Sequence, residues 1–113
     1  LNIAPLPTDV WSHKKLLKTV SHTSVEVKAL EKLQQTGEWT DAIREVIPPT
    51  DPLFTWWSYR AKDWRASNRG RRLDHIWTTQ VLKKHISTID IHQATRGWDK
   101  PSDHVPVTLT LDI

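Results

Sequence analysis

The sequence predicts a mixed fold of the α/β or α+β class, and three observations predict it. A capped, apolar-striped segment after Thr23 reads as a helix, and a second short helix ends at Pro48-Pro49. The later part of the chain carries alternating apolar runs, of which Val105, Val107, Leu109 and Leu111 is the most regular. The resulting order is strand, helix, helix and then strands with short connections, and the late strands are expected to pair antiparallel.

Leu1-Asn2-Ile3 reads as the end of a strand running into the turn-rich Pro5-Leu6-Pro7, where the Asn2 side chain is placed to face a site. Val10 to Val20 is mixed and basic, with His13, Lys14, Lys15 and Lys18 and no clean period. Thr23 with Glu26 three residues on makes a capping box; Val27, Leu30 and Leu33 then share a helical face before Gly37 stops it. Asp41 caps a second helix reaching Val46, which the two prolines end. Leu53 to Tyr59 is aromatic-rich and reads as a strand, and Asn68-Arg69-Gly70 reads as a turn. Leu73, His75 and Trp77 alternate with Asp74 and Ile76 as a further strand. Thr79 to Lys84 suits a helical turn, and Ile86 to His92 and Val105 to Leu111 suit two more strands.

At 113 residues the chain is one small domain or part of one. It starts abruptly inside an apparent strand, so the domain is expected to extend upstream. There is no cysteine, which excludes disulfides and thiolate metal sites and favours the cytosol. No apolar run approaches the ~20 residues of a spanning helix, so a soluble protein without a membrane partner is expected. The net charge of +3 is uneven: Arg60, Lys62, Arg65, Arg69, Arg71 and Arg72 face only Asp63 among acids in their window. Trp56, Trp57, Tyr59 and Trp64 lie between these cations. Such interleaving suits a phosphodiester backbone with bases or sugars to pack against, and equally a solvated basic loop over Trp of the core.

Lys100-Pro101-Ser102-Asp103-His104-Val105-Pro106-Val107 sets a carboxylate beside an imidazole in a proline-bracketed loop at a strand end. Imidazole exchanges protons near neutral pH and carboxylate oxygens suit Mg²⁺, so the pair fits water activation or metal-assisted phosphate chemistry. The same dipeptide also occurs as an inert surface loop.

Four segments in chain order carry a resemblance: Leu1-Asn2-Ile3-Ala4-Pro5, Thr55-Trp56-Trp57-Ser58-Tyr59-Arg60, Asn68-Arg69-Gly70-Arg71-Arg72-Leu73-Asp74-His75-Ile76 and Lys100-Pro101-Ser102-Asp103-His104-Val105-Pro106. Together with Asp9-Val10-Trp11 and Trp64, they resemble the C-terminal half of bacterial exonuclease III, an abasic-site endonuclease of the endonuclease/exonuclease/phosphatase superfamily. The resemblance implies that residues 1–113 are the C-terminal part of one such domain. The fold implied is the C-terminal half of a four-layer α/β sandwich, two packed, mainly antiparallel sheets flanked by helices. It also implies a cytoplasmic bacterial DNA-repair phosphodiesterase that uses Mg²⁺ (or Mn²⁺). Such an enzyme cuts duplex DNA 5′ to abasic sites and works on 3′ ends as exonuclease and end-cleaning enzyme.

Residue by residue, His104 matches the histidine that contacts the scissile phosphate and assists water attack, and Asp74 matches the carboxylate that orients it. A carboxylate fixing one ring nitrogen selects the tautomer and favours imidazolium as phosphate charge develops. Asp103 matches the metal-linked carboxylate, and Asn2 matches an asparagine that hydrogen-bonds the phosphate or the attacking water. Trp56 matches an aromatic wall of the pocket for the flipped-out abasic sugar; Trp57, on the other face, is expected in the core. Arg60, Arg69 and Arg71 are expected to hold DNA phosphates. Asp74 pairing with Arg71 or Arg72, and Asp103 capping a turn, are the structural alternatives.

The N-terminal part of the family's pattern, including its principal metal-ligating Glu, is not in this chain. These 113 residues alone are therefore expected to be inactive and to bind Mg²⁺ weakly. Half a sandwich would expose an apolar sheet face, so pairing with the missing half or self-association is expected. Two alternatives are a non-catalytic DNA-binding fragment and another superfamily member, a phosphoinositide phosphatase or sphingomyelinase sharing Ser-Asp-His; the Trp-Trp segment and the arginines favour nucleic acid.

Overall fold

Residues 1–113 are all described in a computed structural model. The helices are α1 (His13–Leu16), α2 (Ser24–Thr36), α3 (Ala42–Val46) and α4 (Trp64–Ser67). The strands are β1 (Thr40–Asp41), β2 (Trp56–Trp57), β3 (Gly70–Arg71), β4 (Trp77–Thr78), β5 (Ile86–Ile91) and β6 (Val107–Leu111). All three strand pairs, β1 with β4, β2 with β3 and β5 with β6, are antiparallel.

Local signals set the helices. The Thr23 hydroxyl accepts from Glu26 N–H at 3.4 Å and donates to the Glu26 carboxylate at 2.7 Å, and α2 stops at Gly37. Of the anticipated apolar face only Leu30 is buried, because the remainder of α2 has little to pack against. The Asp41 carboxylate accepts from Arg44 N–H at 3.4 Å, and α3 ends before the two prolines.

The strands are shorter than the sequence pattern predicts, and hydrogen bonding explains it. The run from Leu73 to Trp77 is not a strand until its last residue, because the N–H groups of Leu73 and Asp74 both donate to the Thr55 hydroxyl rather than to a neighbouring strand. Leu1 to Ile3 is not a strand either: Ile3 N–H turns back to the Leu1 carbonyl at 2.9 Å. Of the predicted Leu53–Tyr59 strand only β2 remains.

Four short segments nevertheless lie side by side. Trp11 N–H reaches the Gly70 carbonyl and Arg72 N–H the Asp9 carbonyl; Thr55 N–H reaches the Arg71 carbonyl; Val105 N–H reaches the Thr55 carbonyl and Trp57 N–H the Asp103 carbonyl. The order across this irregular sheet is therefore 9–11, 70–72, 55–57, 103–105. Gly70 has to be glycine, since a Cβ there would stand 2.6 Å from the Phe54 side chain.

A small apolar cluster of Ala4, Val10, Leu16 and Leu73, with Trp11 and Trp56 against it, underlies this sheet. Beside it lies a buried ion network. Asp9, fully buried, accepts from Arg44 at 2.6 Å and from Arg72 at 3.0 Å, and Arg72 also meets Asp41 at 2.9 Å. This network takes Arg72 away from Asp74. In the β5–β6 ribbon the aliphatic pairs Ile86/Leu111, Ile89/Leu109 and Ile91/Val107 share one face, and all six residues stay only partly buried.

Candidate active site

The irregular sheet brings Asp74 and His104 together from positions 30 residues apart: His104 Nδ1 lies 2.9 Å from Asp74 Oδ2. A carboxylate oxygen only accepts, so Nδ1 carries the proton and donates, and in the neutral ring Nε2 is left as an acceptor. Nε2 has no protein partner, and the side chains are 34% and 38% exposed, which places the pair at a solvent rim. The Asp74 oxygen also accepts from the buried Thr55 hydroxyl at 2.7 Å. Asp74 pairs with neither arginine, and its carboxylate is set by an imidazole on one side and a hydroxyl on the other.

Next along the rim, Asp103 does more than shape a turn. Its Oδ2 accepts from the Trp56 indole N–H at 3.0 Å, which ties the Ser-Asp-His loop to β2. Trp56 also pairs across the sheet with Arg71 and bridges to His104. Its ring faces a groove of about 630 Å³ lined by Trp11, Trp56, Trp64, Arg60, Arg69 and Arg71, among others. All four residues predicted to hold substrate therefore line one groove.

The arginines differ in how they are held. Arg71 stacks 5.1 Å over the Trp56 ring and donates to the Val20 carbonyl and the Ser21 hydroxyl; burial lowers its pKa, which for arginine leaves the charge in place. Arg69 lies 4.8 Å over the Trp11 ring, and Arg60 and Arg69 are exposed with no carboxylate partner. Trp57 is buried, as expected, with its N–H donated to Asn68 Oδ1 at 2.9 Å. Asn2 is exposed and lines a separate depression of about 350 Å³ that also includes Asp74, His75 and Trp77; its side chain makes no hydrogen bond.

Two contributors carried no role in the sequence reading. Thr55 lies inside one of the four resembling segments, but nothing local marks its hydroxyl as a hub. Arg96, buried, donates through Nε to the Trp57 carbonyl at 3.0 Å and through Nη2 to that of Ser58 at 3.2 Å, fixing the β2 exit beside the groove. Its signal is spatial, not sequential.

A divalent cation needs several oxygen donors, and this chain offers few. Asp103 and Asp74 each engage only Oδ2, the latter twice, and no group of three or more His, Asp or Glu is placed to hold an ion. These residues do not by themselves form a metal cage.

The fold that carries this imidazole–carboxylate pair is similar to that of a solved AP endonuclease. The solved AP endonuclease of Archaeoglobus fulgidus superposes with a TM-score of 0.90 at 32% identity, covering 99% of this chain and 43% of that one. The 3′ phosphatase NExo from Neisseria, bound to product DNA hairpin, gives 0.90 at 31% identity, covering 99% of this chain and 42% of that one. In sequence, exodeoxyribonuclease III of Haemophilus influenzae is 32% identical across 95% of this chain and 42% of its own length. The exodeoxyribonuclease of Bacillus subtilis is 31% identical across 100% and 42%. No family model matches the sequence. The chain is thus a homologue of the exonuclease III and AP endonuclease proteins in sequence and in fold, and it spans about two-fifths of the length of the relatives it matches.

Proposed function

We propose that this chain forms the DNA-gripping and proton-handling part of a DNA-repair phosphodiesterase of the exonuclease III kind. It would cut duplex DNA 5′ to abasic sites and trim or clean 3′ ends. The observation that carries this reading is the Asp74–His104 pair at 2.9 Å, with Nε2 free, beside a groove lined by Trp56 and three arginines. The product DNA hairpin bound to the Neisseria relative supports the substrate class.

In this reading Nε2 of His104 takes a proton from the attacking water as the new O–P bond forms and the P–O3′ bond breaks, the departing O3′ being protonated from solvent to the 3′ hydroxyl. Asp74 holds Nδ1–H and stabilises the imidazolium that results. Asn2 would hydrogen-bond the phosphate or the water, Arg60, Arg69 and Arg71 would hold the backbone, and Trp56 would wall the sugar pocket. Mg²⁺ or Mn²⁺, when bound, would neutralise phosphate charge, and Asp103 would supply one of its oxygen ligands. With one such carboxylate, the 113 residues alone do not support turnover. The aliphatic face of the β5–β6 ribbon is then the surface through which the chain pairs with further length of the same protein or with a second copy. A bacterial cytoplasmic location accompanies the reading.

The test is a duplex carrying one abasic site, incubated with the 113-residue chain and with an upstream-extended version, with and without Mg²⁺. Cleavage by the extended form with metal, lost in His104→Ala and Asp74→Ala, is expected; near-normal cutting by both variants defeats the assignment.

A second reading has its own support, because the basic aromatic groove is complete within this chain while the metal donors are not. As a non-catalytic DNA-binding module, the chain would bind duplex in a salt-sensitive way unaffected by EDTA, with no cleavage in the extended form.

A further inference from the structure

Two consecutive carbonyls near the start of the chain are each held by an imidazole. His75 Nε2 lies 2.7 Å from the Ile3 carbonyl, and His22 Nδ1 lies 2.7 Å from the Ala4 carbonyl. A carbonyl can only accept, so both nitrogens carry hydrogen and the tautomers are fixed by geometry. His22 then accepts at Nε2 from His13 Nδ1, 2.7 Å away, which chains a third imidazole behind the second. Pro5 offers no N–H, and the segment joins no strand; its other long-range backbone tie is Ala4 N–H to the Ser21 carbonyl at 2.8 Å.

The two rings approach from chain positions 53 apart, counting from His22 to His75 (75 less 22), and the one on Ile3 follows Asp74 directly. Asn2 precedes the clamped carbonyls by one residue and shares its depression with Asp74 and His75. We propose that His22 and His75 are positioning residues, a two-imidazole clamp that fixes the Asn2 segment against the Asp74 strand end so that the Asn2 amide meets the substrate phosphate. This rests on the reading of Asn2 as a phosphate contact and extends it to residues that touch no substrate.

The clamp has a protonation state built into it. His75 Nδ1 is buried without a partner, so a second proton there would face no acceptor. Burial and the Arg72 charge lower the pKa of this ring, against the hydrogen bond to the Ile3 carbonyl and the charges of Asp41 and Asp9, which pull it up. Around His22 the facing groups are His13, whose Nδ1 lies 2.7 Å from its Nε2, and Glu26.

Long-range ¹H–¹⁵N correlation spectra of the protein at pH 7.5 read the tautomers directly: Nε2–H at His75 and Nδ1–H at His22 are expected, and the opposite tautomer at either ring overturns the clamp. Kinetics on the abasic duplex, with the upstream-extended protein, test what the clamp does. His75→Leu is expected to lower kcat roughly 10- to 100-fold with KM little changed, as misplacing a substrate-orienting group does. His75→Gln, which retains an N–H donor, should recover most of that loss, and the double variant with Asn2→Ala should be no slower than Asn2→Ala alone. Multiplied losses in the double variant, with Asn2→Ala itself impaired, sink the clamp and leave the reading of Asn2 standing. Wild-type kcat in Asn2→Ala overturns that reading and the clamp with it.

Discussion

The Thr55 hydroxyl donates to Asp74 Oδ2 at 2.7 Å while its oxygen accepts the N–H groups of Leu73 and Asp74 at 3.1 and 3.2 Å. One buried side chain thus sets the carboxylate that meets His104 and replaces a strand ladder around it. Thr55→Val keeps the shape and removes all three bonds, leaving buried N–H groups unpaired. A loss of about 2 kcal/mol or more is expected in urea unfolding, whereas Thr55→Ser stays close to wild type.

Asp74→Asn tests the tautomer that Asp74 imposes. The amide keeps the size of the carboxylate but can turn an N–H toward His104 Nδ1, reversing the donor at 2.9 Å and taking the free lone pair away from Nε2. Cleavage of abasic duplex should fall by about 10²- to 10⁴-fold, the usual worth of a positioned general base, with DNA affinity unchanged in a binding assay.

Stability in mild acid depends on His75. Burial holds its folded pKa below the ordinary imidazole value of about 6.5, with Arg72 acting in the same direction, so below that pH the unfolded chain binds a proton that the folded chain refuses. Its contribution is therefore complete above about pH 6.5 and is lost as pH falls toward the lowered value. Urea midpoints measured from pH 8 to pH 5 should decline through this window, and the decline should be shallower in His75→Gln.

The Arg44–Asp9–Arg72 network should be the most sensitive interior position. Removing Asp9 leaves two buried guanidinium groups facing each other without their shared anion, and Asp9→Ala is expected to cost about 3–5 kcal/mol or to prevent folding. Arg72→Met leaves Asp9 paired with Arg44 and should cost less, which equilibrium denaturation of both variants decides.

Salt titration of duplex binding separates the two exposed arginines, Arg60 and Arg69, from the half-buried Arg71. Arg60 and Arg69 have no carboxylate partners, so Arg60→Ala and Arg69→Ala should each reduce the slope of log affinity against log salt by about 1. Arg71→Ala should in addition lower thermal stability, because its guanidinium also ties down Val20 and Ser21.

What the amino-acid order determined by itself was local. Thr23 with Glu26, Asp41, Pro48-Pro49 and the alternation in Ile86–His92 and Val105–Leu111 act over two to four residues, and those elements formed close to where the pattern placed them, though Val105 bonds to Thr55 and lies outside the last strand. The short segments holding Trp56, Asp74, Asp103 and His104 could be singled out in the sequence, and the structure brings these four together, with Asn2 in a separate depression. Tertiary structure decided everything that joins distant atoms. The segment from Leu73 to Ile76 has strand periodicity but gives two amide protons to a hydroxyl 18 and 19 residues away, and Arg72 turns to Asp9, 63 residues away, rather than to its near neighbour Asp74. The Asn2 segment takes its partners from imidazoles at 22 and 75. Periodicity reports which face of an element is apolar; buried hydrogen-bonding groups choose partners only once packing has removed water and left one geometry that satisfies them.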